Sequence, residues 1–291
     1  MSFASASLQA LRPRQWTKNL LLLVPVFFAK SAFNTELLTR SLVGFVAFCA
    51  LASGVYLAND WVDRDKDRLH PEKRSRPIAA GHLSGAAVVG LLAACWLVAL
   101  ALSWWVGPAF TGVAIAYVVL QALYTPLLKR LVILDVMAIA LGFILRVVAG
   151  GQAIPVEVSN WLLLCTLLGA IFLGFAKRRH ELSSVENASA HRANLGEYSL
   201  PLLDQMMSIS AACTILAYGL YTVSKETVDH VGSDRLKFTV PCVIYGIFRY
   251  LFLVYRKNLG GSPERVLLSD APLIADLAVF VAVAGWALYL K

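Results

Sequence analysis

The chain has 291 residues, of which 58% are hydrophobic and only 15% charged, with a formal net charge of +8. A mean hydropathy of +0.67 is too apolar for a soluble globular domain. The apolar runs of roughly 20 residues suit membrane-spanning helices and exclude the alternating pattern of a barrel strand.

The N-terminal stretch Leu11-Arg12-Pro13-Arg14-Gln15-Trp16-Thr17-Lys18-Asn19 combines basic residues with a tryptophan, as an anchor at the headgroup level does. No small-residue cleavage site follows, so the first apolar run is expected to be retained rather than removed as a signal peptide. Nine spans are predicted, at about 19–37, 41–60, 85–105, 108–127, 131–150, 160–177, 205–224, 237–255 and 271–290. The fourth is bracketed by Pro108 and Pro126. Each of the five cysteines stands alone in an apolar segment, with no CxxC, and reads as a small buried side chain. Two long polar loops, 61–84 and 178–204, are separated by four spans, which hints at two similar halves. The chain is read as one transmembrane domain, 1–291, with those loops capping the active site.

Eighteen of the 26 Lys and Arg fall in the N-terminal stretch and in the loops after the even-numbered spans. That side is therefore expected to be cytoplasmic, with the N-terminus inside and the C-terminus outside. This distribution reads as topology plus attraction to anionic lipid or phosphate, and argues against nucleic acid as a partner.

The second span ends in Asn59-Asp60-Trp61-Val62-Asp63-Arg64-Asp65-Lys66-Asp67. Asp60, Asp63 and Asp67 are spaced i, i+3, i+7, so on one helix they share a face and, with Asn59, form an all-oxygen surface. Carboxylates this close repel and call for a cation between them. The end of a helix is also unfavourable to negative charge. Hard oxygen ligands suit Mg²⁺, which in proteins commonly carries substrate phosphates too. The loop that follows interleaves cations with acids, from Arg68 through Lys73 and Arg76 to Gly81.

The second loop opens with Lys177-Arg178-Arg179-His180-Glu181-Leu182 and runs through His191-Arg192 and Tyr198 to Asp204. Lys177 and Glu181 can share a helix face. Asp204, heading the next span, reads either as its N-cap or as part of a second phosphate and metal wall facing the first. His70 and His180 are read as basic-loop residues rather than proton carriers. Asp135 and Arg146 share one apolar span, where charge is costly. Asp135 is expected to bind Lys129 or Arg130 or to line the site, and Arg146 either to snorkel to the far interface or to act in the site. Asp270 reads as the cap of the last span.

Asn59-Asp60-x-x-Asp63-x-x-x-Asp67, followed by Lys73, Arg76-Pro77 and Gly81, resembles the first signature of the UbiA superfamily of membrane prenyltransferases. In place of the usual second aspartate pair stand Lys177-Arg178-x-x-Glu181-Leu182, Tyr198 and Asp204. With Arg12-Pro13-Arg14-Gln15-Trp16-x-Lys18-Asn19, the loop ending Arg76-Pro77-Ile78-Ala79-Ala80-Gly81 and the Gly-x-Pro-Glu turn near 261–264, this variant looks like the superfamily's decaprenyl-phosphate phosphoribosyltransferase branch. The resemblance implies an all-α fold of nine helices around a central cavity open to the cytoplasm, in the inner or plasma membrane. It implies Mg²⁺ held by Asn59, Asp60, Asp63 and Asp67, with the three aspartates catalytic. Arg14, Lys18, Lys73, Arg76, Lys177, Arg178, Glu181, Tyr198 and Asp204 would bind substrate. The reaction implied is transfer of 5-phosphoribosyl from phosphoribosyl diphosphate to a polyprenyl phosphate, releasing pyrophosphate, as in cell-wall precursor synthesis. The alternative is prenyl transfer from a polyprenyl diphosphate to an aromatic or other hydrophobic acceptor. A transporter of a phosphorylated solute fits less well, because the charges gather on one face rather than at the midplane. Homo-oligomeric assembly is left open.

Overall fold

A computed structural model describes residues 1–69, 73–184 and 193–290, with the side chains of 184, 193, 194, 264 and 267 left out. His70, His191 and Arg192, and with them parts of both polar loops, lie outside the described residues, as does the side chain of Glu264. Most of the described residues are helical, and no strand occurs among them.

The chain begins with α1 (Phe3–Ala10), capped by Ser2, followed by a 3-10 stretch, Pro13–Leu23, and the short α2 (Val24–Phe28). The long α3 (Thr35–Val62) is capped by Asn34, whose side chain accepts from Leu37 N–H, and is continued by α4 (Arg64–Leu69). Then come α5 (Gly85–Val106), α6 (Pro108–Tyr124), α7 (Leu134–Ala153) and α8 (Asn160–Ser184). The last group is α9 (Leu200–Val223), α10 (Lys225–Val231), α11 (Val240–Lys257), α12 (Pro263–Ser269) and α13 (Ala271–Tyr289).

Seven helical segments among the described residues are long and apolar enough to cross a membrane. At the other two expected spans the chain is helical but too short or too irregular to be counted with these seven. The fourth is α6, an apolar helix of 17 residues. The first is not one 19-residue helix. It winds as 3-10 through Leu23, gives a single α turn after Pro25 and stops at Phe28, and Asn34 already caps the next helix. Proline without an N–H at positions 13 and 25 explains why regular i→i−4 bonding does not establish itself there.

By its contacts the chain divides into two compact units, Met1–Thr125 with Leu145–Glu157, and Pro126–Ile144 with Val158–Lys291. Each contains one of the two long polar loops. In the first unit, Leu22, Val26, Ala47, Phe48, Phe110 and Tyr117 form the core, with Phe48 meeting Phe110 edge-on at 5.6 Å between centroids. In the second, Val136, Phe172, Leu203, Met207, Tyr250 and Leu253 do so. Arg40 joins two helix ends of the first unit: its Nε donates to Ala153 O at 2.7 Å and its Nη2 to Val106 O at 2.5 Å. These are carbonyls that the ends of α7 and α5 leave without helical partners.

Arg146 does not snorkel. It is 5% exposed, donates to Asn19 Oδ1 (2.8 Å) and Tyr117 Oη (2.9 Å), and lies over the Tyr117 ring at 4.7 Å. It thereby ties the irregular 3-10 stretch to α6 and α7. Gly150, one turn further along α7, lets that stretch come close: a Cβ there would sit 2.1 Å from Leu22 O and 3.0 Å from Pro25 Cδ. Gly150→Ala should therefore lower stability by about 1–3 kcal/mol, as overpacking does. Gly90→Ala, in a helix with nothing within 4 Å, should stabilise by about 0.5–1 kcal/mol. Unfolding midpoints in detergent that move in the same direction for both would contradict this packing.

Candidate active site

The acidic motif does not lie on one straight helix. α3 ends at Val62, Asp63 is its C-cap (φ −88°, ψ 0°), and Asp67 belongs to α4. Its amide still donates to Asp63 O at 2.8 Å. Asp60 and Asp67 turn inward, with side chains 6% and 5% exposed, while Asp63 stays half-buried.

Two guanidinium groups meet the inward pair. Arg76 Nη1 donates to Asp60 Oδ1 at 3.0 Å and to Asp67 Oδ2 at 2.6 Å. Arg12 Nη2 donates to both oxygens of Asp60, at 2.6 and 2.8 Å, and stacks over Tyr56 at 4.9 Å. These pairs supply the positive charge that the helix end and two neighbouring carboxylates require. The carboxylate of Asp63 has no ion pair or hydrogen bond to another described residue. Asn59 Oδ1 accepts from the Thr125 hydroxyl at 3.2 Å, which orients its amide.

Arg12 is the residue that sequence reasoning left out of the site. It sits at φ 54°, ψ 57°, a left-handed conformation that costs a non-glycine residue about 1–2 kcal/mol. The segment around it is pinned: Trp16 Nε1 donates to Ser53 Oγ (3.0 Å), and Ser53 donates to Leu11 O (2.9 Å). The sequence marked it through the dipeptide Arg12-Pro13, since a residue before proline is pushed out of the helical region, and as the first residue of the Arg12-Pro13-Arg14-Gln15-Trp16 element. Arg14, which was included, is exposed, and Lys18 Nζ donates to Gln15 Oε1 at 2.6 Å. Lys73 opens a 3-10 turn, Lys73–Ser75, beside Arg76 and is half-buried.

The second unit carries its own charged network. Asp135 is 0% exposed and pairs with Arg178, itself 1% exposed, whose Nε lies 2.9 Å from Asp135 Oδ2. Arg178 also pairs with Glu181. Asp135 is thus met by Arg178, about five turns into α8, a partner that the sequence reading, which looked to the nearby Lys129 and Arg130, did not name. The Tyr198 hydroxyl donates to Asp135 Oδ1 (3.0 Å) and accepts from Ile133 N–H (2.6 Å). Ile133 is a β-branched residue at φ 67°, a strained backbone held in place by that bond.

Asp204 does not cap its helix. α9 begins at Leu200, and Ser199 is the cap, accepting from Leu202 N–H. Asp204 Oδ1 instead accepts from Arg179 Nε (2.5 Å) and from the Tyr255 hydroxyl (2.9 Å), with the Arg179 guanidinium 4.4 Å over the Tyr255 ring. Asp270 does cap α13, through Leu273 N–H at 3.1 Å, and pairs with Arg249 at 2.9 Å. Lys177 is half-buried in the last turns of α8.

The donor set at the α3 end fits a magnesium ion. Its groups are all oxygen, and two of its carboxylates already converge on one cationic nitrogen. Among the described residues no three His, Cys, Asp or Glu side chains gather closely enough to hold a metal alone. Mg²⁺ characteristically takes one or two carboxylates and fills the rest of its shell with phosphate and water.

Burial pushes the Tyr198 phenol up to about 12, the bond from Ile133 lowering it and Asp135 raising it. Because the folded value is raised, the phenol's contribution to stability is whole below pH 10 and is lost as pH rises through 10 toward 12. Unfolding measured between pH 9 and 12 should show that loss in the natural protein and a smaller one in Tyr198→Phe; equal slopes would remove the network from the stability of this unit.

A profile of the UbiA prenyltransferase family matches residues 20–261. The chain is 33% identical over 302 aligned residues to the decaprenyl-phosphate phosphoribosyltransferase of Mycolicibacterium smegmatis, covering 99% of this chain and 94% of that protein. It is 35% identical over 282 residues to the protein of the same name from Corynebacterium glutamicum, covering 94% and 83%. Among solved structures it superimposes on a UbiA homolog from Archaeoglobus fulgidus bound to GPP and Mg²⁺, with a TM-score of 0.70 and 19% identity over 98% of this chain and 100% of that one. At that identity the likeness speaks for the fold. With the profile spanning most of its length and relatives aligned nearly end to end, the chain belongs to the UbiA prenyltransferase family and is a multi-pass membrane transferase.

Proposed function

We propose that the protein transfers a 5-phosphoribosyl group from phosphoribosyl diphosphate to a polyprenyl phosphate and releases pyrophosphate. The observation that carries this reading is the arrangement of two dry carboxylates, Asp60 and Asp67, interleaved with Arg12 and Arg76 at a helix end, in a chain whose full-length relatives carry the phosphoribosyltransferase name. Such a site is made for a metal-bound diphosphate. Asn59, Asp60, Asp63 and Asp67 would hold Mg²⁺, which when bound neutralises charge on the departing pyrophosphate.

The chain's own residues do the rest. Arg76 and Lys73 hold diphosphate oxygens and keep them aligned while the ribose C1–O bond breaks and positive charge builds on the sugar ring, and Arg12 keeps Asp60 in place. An oxygen of the lipid phosphate forms the new bond to C1, and the bonding electrons leave with pyrophosphate. The acceptor is already an anion, so no side chain has to remove a proton from it. Arg14 and Lys18 are assigned to a substrate phosphate. In the second unit, Lys177 is assigned to phosphate, and Glu181 and Asp204 to the ribose hydroxyls. Arg178, buried between Asp135 and Glu181, holds Glu181 rather than offering its own charge, and Tyr198 supports the same network. The excess of Lys and Arg on one side supports a cytoplasmic N-terminus and a site facing the cytoplasm in the cell membrane.

Purified protein with Mg²⁺ and radiolabelled phosphoribosyl diphosphate should move label into the lipid phase only when polyprenyl phosphate is present, and should stop in EDTA. Folded protein that transfers nothing under these conditions but consumes a polyprenyl diphosphate with an aromatic acceptor would replace this reading with prenyl transfer. Asp63→Asn should keep the fold, because no other described residue depends on that carboxylate, and should lower kcat/KM by about 100-fold or more. Undiminished turnover would remove Asp63 from the metal site.

A further inference from the structure

One nitrogen serves both inward carboxylates. Arg76 Nη1 stands 3.0 Å from Asp60 Oδ1 and 2.6 Å from Asp67 Oδ2, the point from which a single cation reaches both. Arg12 covers the remaining side of Asp60. The carboxylates are nearly dry, at 6% and 5% exposure, whereas the Arg76 and Arg12 side chains keep 30% and 26%. A divalent ion that took Asp60 Oδ1 and Asp67 Oδ2 together would stand where Arg76 Nη1 stands now, and like charges that close repel. The two cations therefore compete for one place.

The surroundings allow the side chain to leave without the loop. Pro77, Ile78 and Ala79, directly after Arg76, are buried. The turn is closed by bonds from Arg76 N to Lys73 O (3.0 Å), Ala80 N to Arg76 O (2.8 Å) and His82 N to Pro77 O (2.9 Å). A guanidinium swinging on this fixed backbone, a third of it in solvent, has room to move. It needs a new anion, because giving up two carboxylates at once is costly. Phosphate oxygens match its planar donor fork.

We propose that Arg76 is the resident counter-ion of the acidic motif and gives way to the divalent cation only when a diphosphate arrives to receive the displaced guanidinium. Metal and diphosphate then load as one complex, and the metal does not bind first. Arg12 holds Asp60 through the exchange from the other side. This rests on the reading of the motif as a metal and diphosphate site, and is indifferent to whether the diphosphate carries a phosphoribosyl or a prenyl group.

The test is equilibrium dialysis of the full-length protein in detergent, measuring protein-retained Mn²⁺ with and without inorganic pyrophosphate. The natural protein should retain Mn²⁺ more tightly with pyrophosphate by about tenfold or more, a usual size for coupling between two ligands. Arg76→Gln should hold Mn²⁺ alone about tenfold more tightly than the natural protein and should lose most of the gain from pyrophosphate. Arg76→Lys, which keeps a charge but has no fork, should change in the same direction by less. Equal retention with and without pyrophosphate in the natural protein, which needs no variant to fold, would overturn the proposal. So would an unchanged affinity for Mn²⁺ alone in both variants. Absence of Mn²⁺ binding in every condition would overturn it together with the metal site itself. Coupled binding as described, with no phosphoribosyl transfer, would leave this inference standing and remove only the choice of donor.

Discussion

Charge at the end of an apolar helix has to be balanced within the protein, and in the first unit this requirement organises everything near the candidate site. Asp60 and Asp67 are almost out of water at the point where α3 gives way to α4. Either one without a cation would be an uncompensated buried charge, and breaking such a pair by removing one partner commonly costs about 3–5 kcal/mol. Arg12 comes to Asp60 from a segment 48 residues earlier, and Arg76 from a loop 16 residues later. The N-terminal stretch and the first polar loop are therefore both held to the helix end by the carboxylates that bind the metal in the proposed reaction.

Two of the chain's left-handed non-glycine residues fall beside these charges. Arg12 in the first unit and Ile133 in the second are both in left-handed conformations that their side chains disfavour. Each is held by a specific bond: Arg12 by its grip on Asp60 and by the Trp16–Ser53–Leu11 chain, and Ile133 by the Tyr198 hydroxyl. Strain of this kind persists where surrounding contacts over-determine it, and it gathers at functional positions. The second unit repeats the economy of the first with different residues. Asp135, Arg178 and Tyr198 meet in a buried network that Arg178 extends to the partly exposed Glu181.

The irregular first segment shows why such a chain departs from nine equal helices. A 3-10 stretch that opens on Pro13 and runs into a short helix holding Pro25 leaves peptide groups that a regular helix would pair internally. Arg146 and Asn19 bond side chain to side chain beneath it, and Gly150 removes a Cβ that would keep it away. In exchange for regular helix geometry, the stretch places Arg12 against Asp60.

Hydropathy by itself determined the membrane class, the all-helical fold and the position of most spans, because the bilayer leaves a polypeptide few ways to satisfy its backbone, and helix length follows membrane thickness. Residue types at fixed spacing also marked Asp60, Asp63, Asp67, Arg76 and the second loop as chemistry-bearing, since four acids at a helix end have no topological use. Pairing was decided only by the tertiary structure. That Arg12 rather than Arg14 meets Asp60, that Arg178 is spent on Asp135, that Ser199 rather than Asp204 caps α9, and that Arg146 is tied inward to Asn19 and Tyr117 all depend on partners distant in the chain or on a single kink. Local pattern specifies which face of a helix is apolar, but the partner of a buried charge is whichever opposite charge or hydrogen-bonding group packing brings within about 3 Å, and linear spacing does not contain that distance.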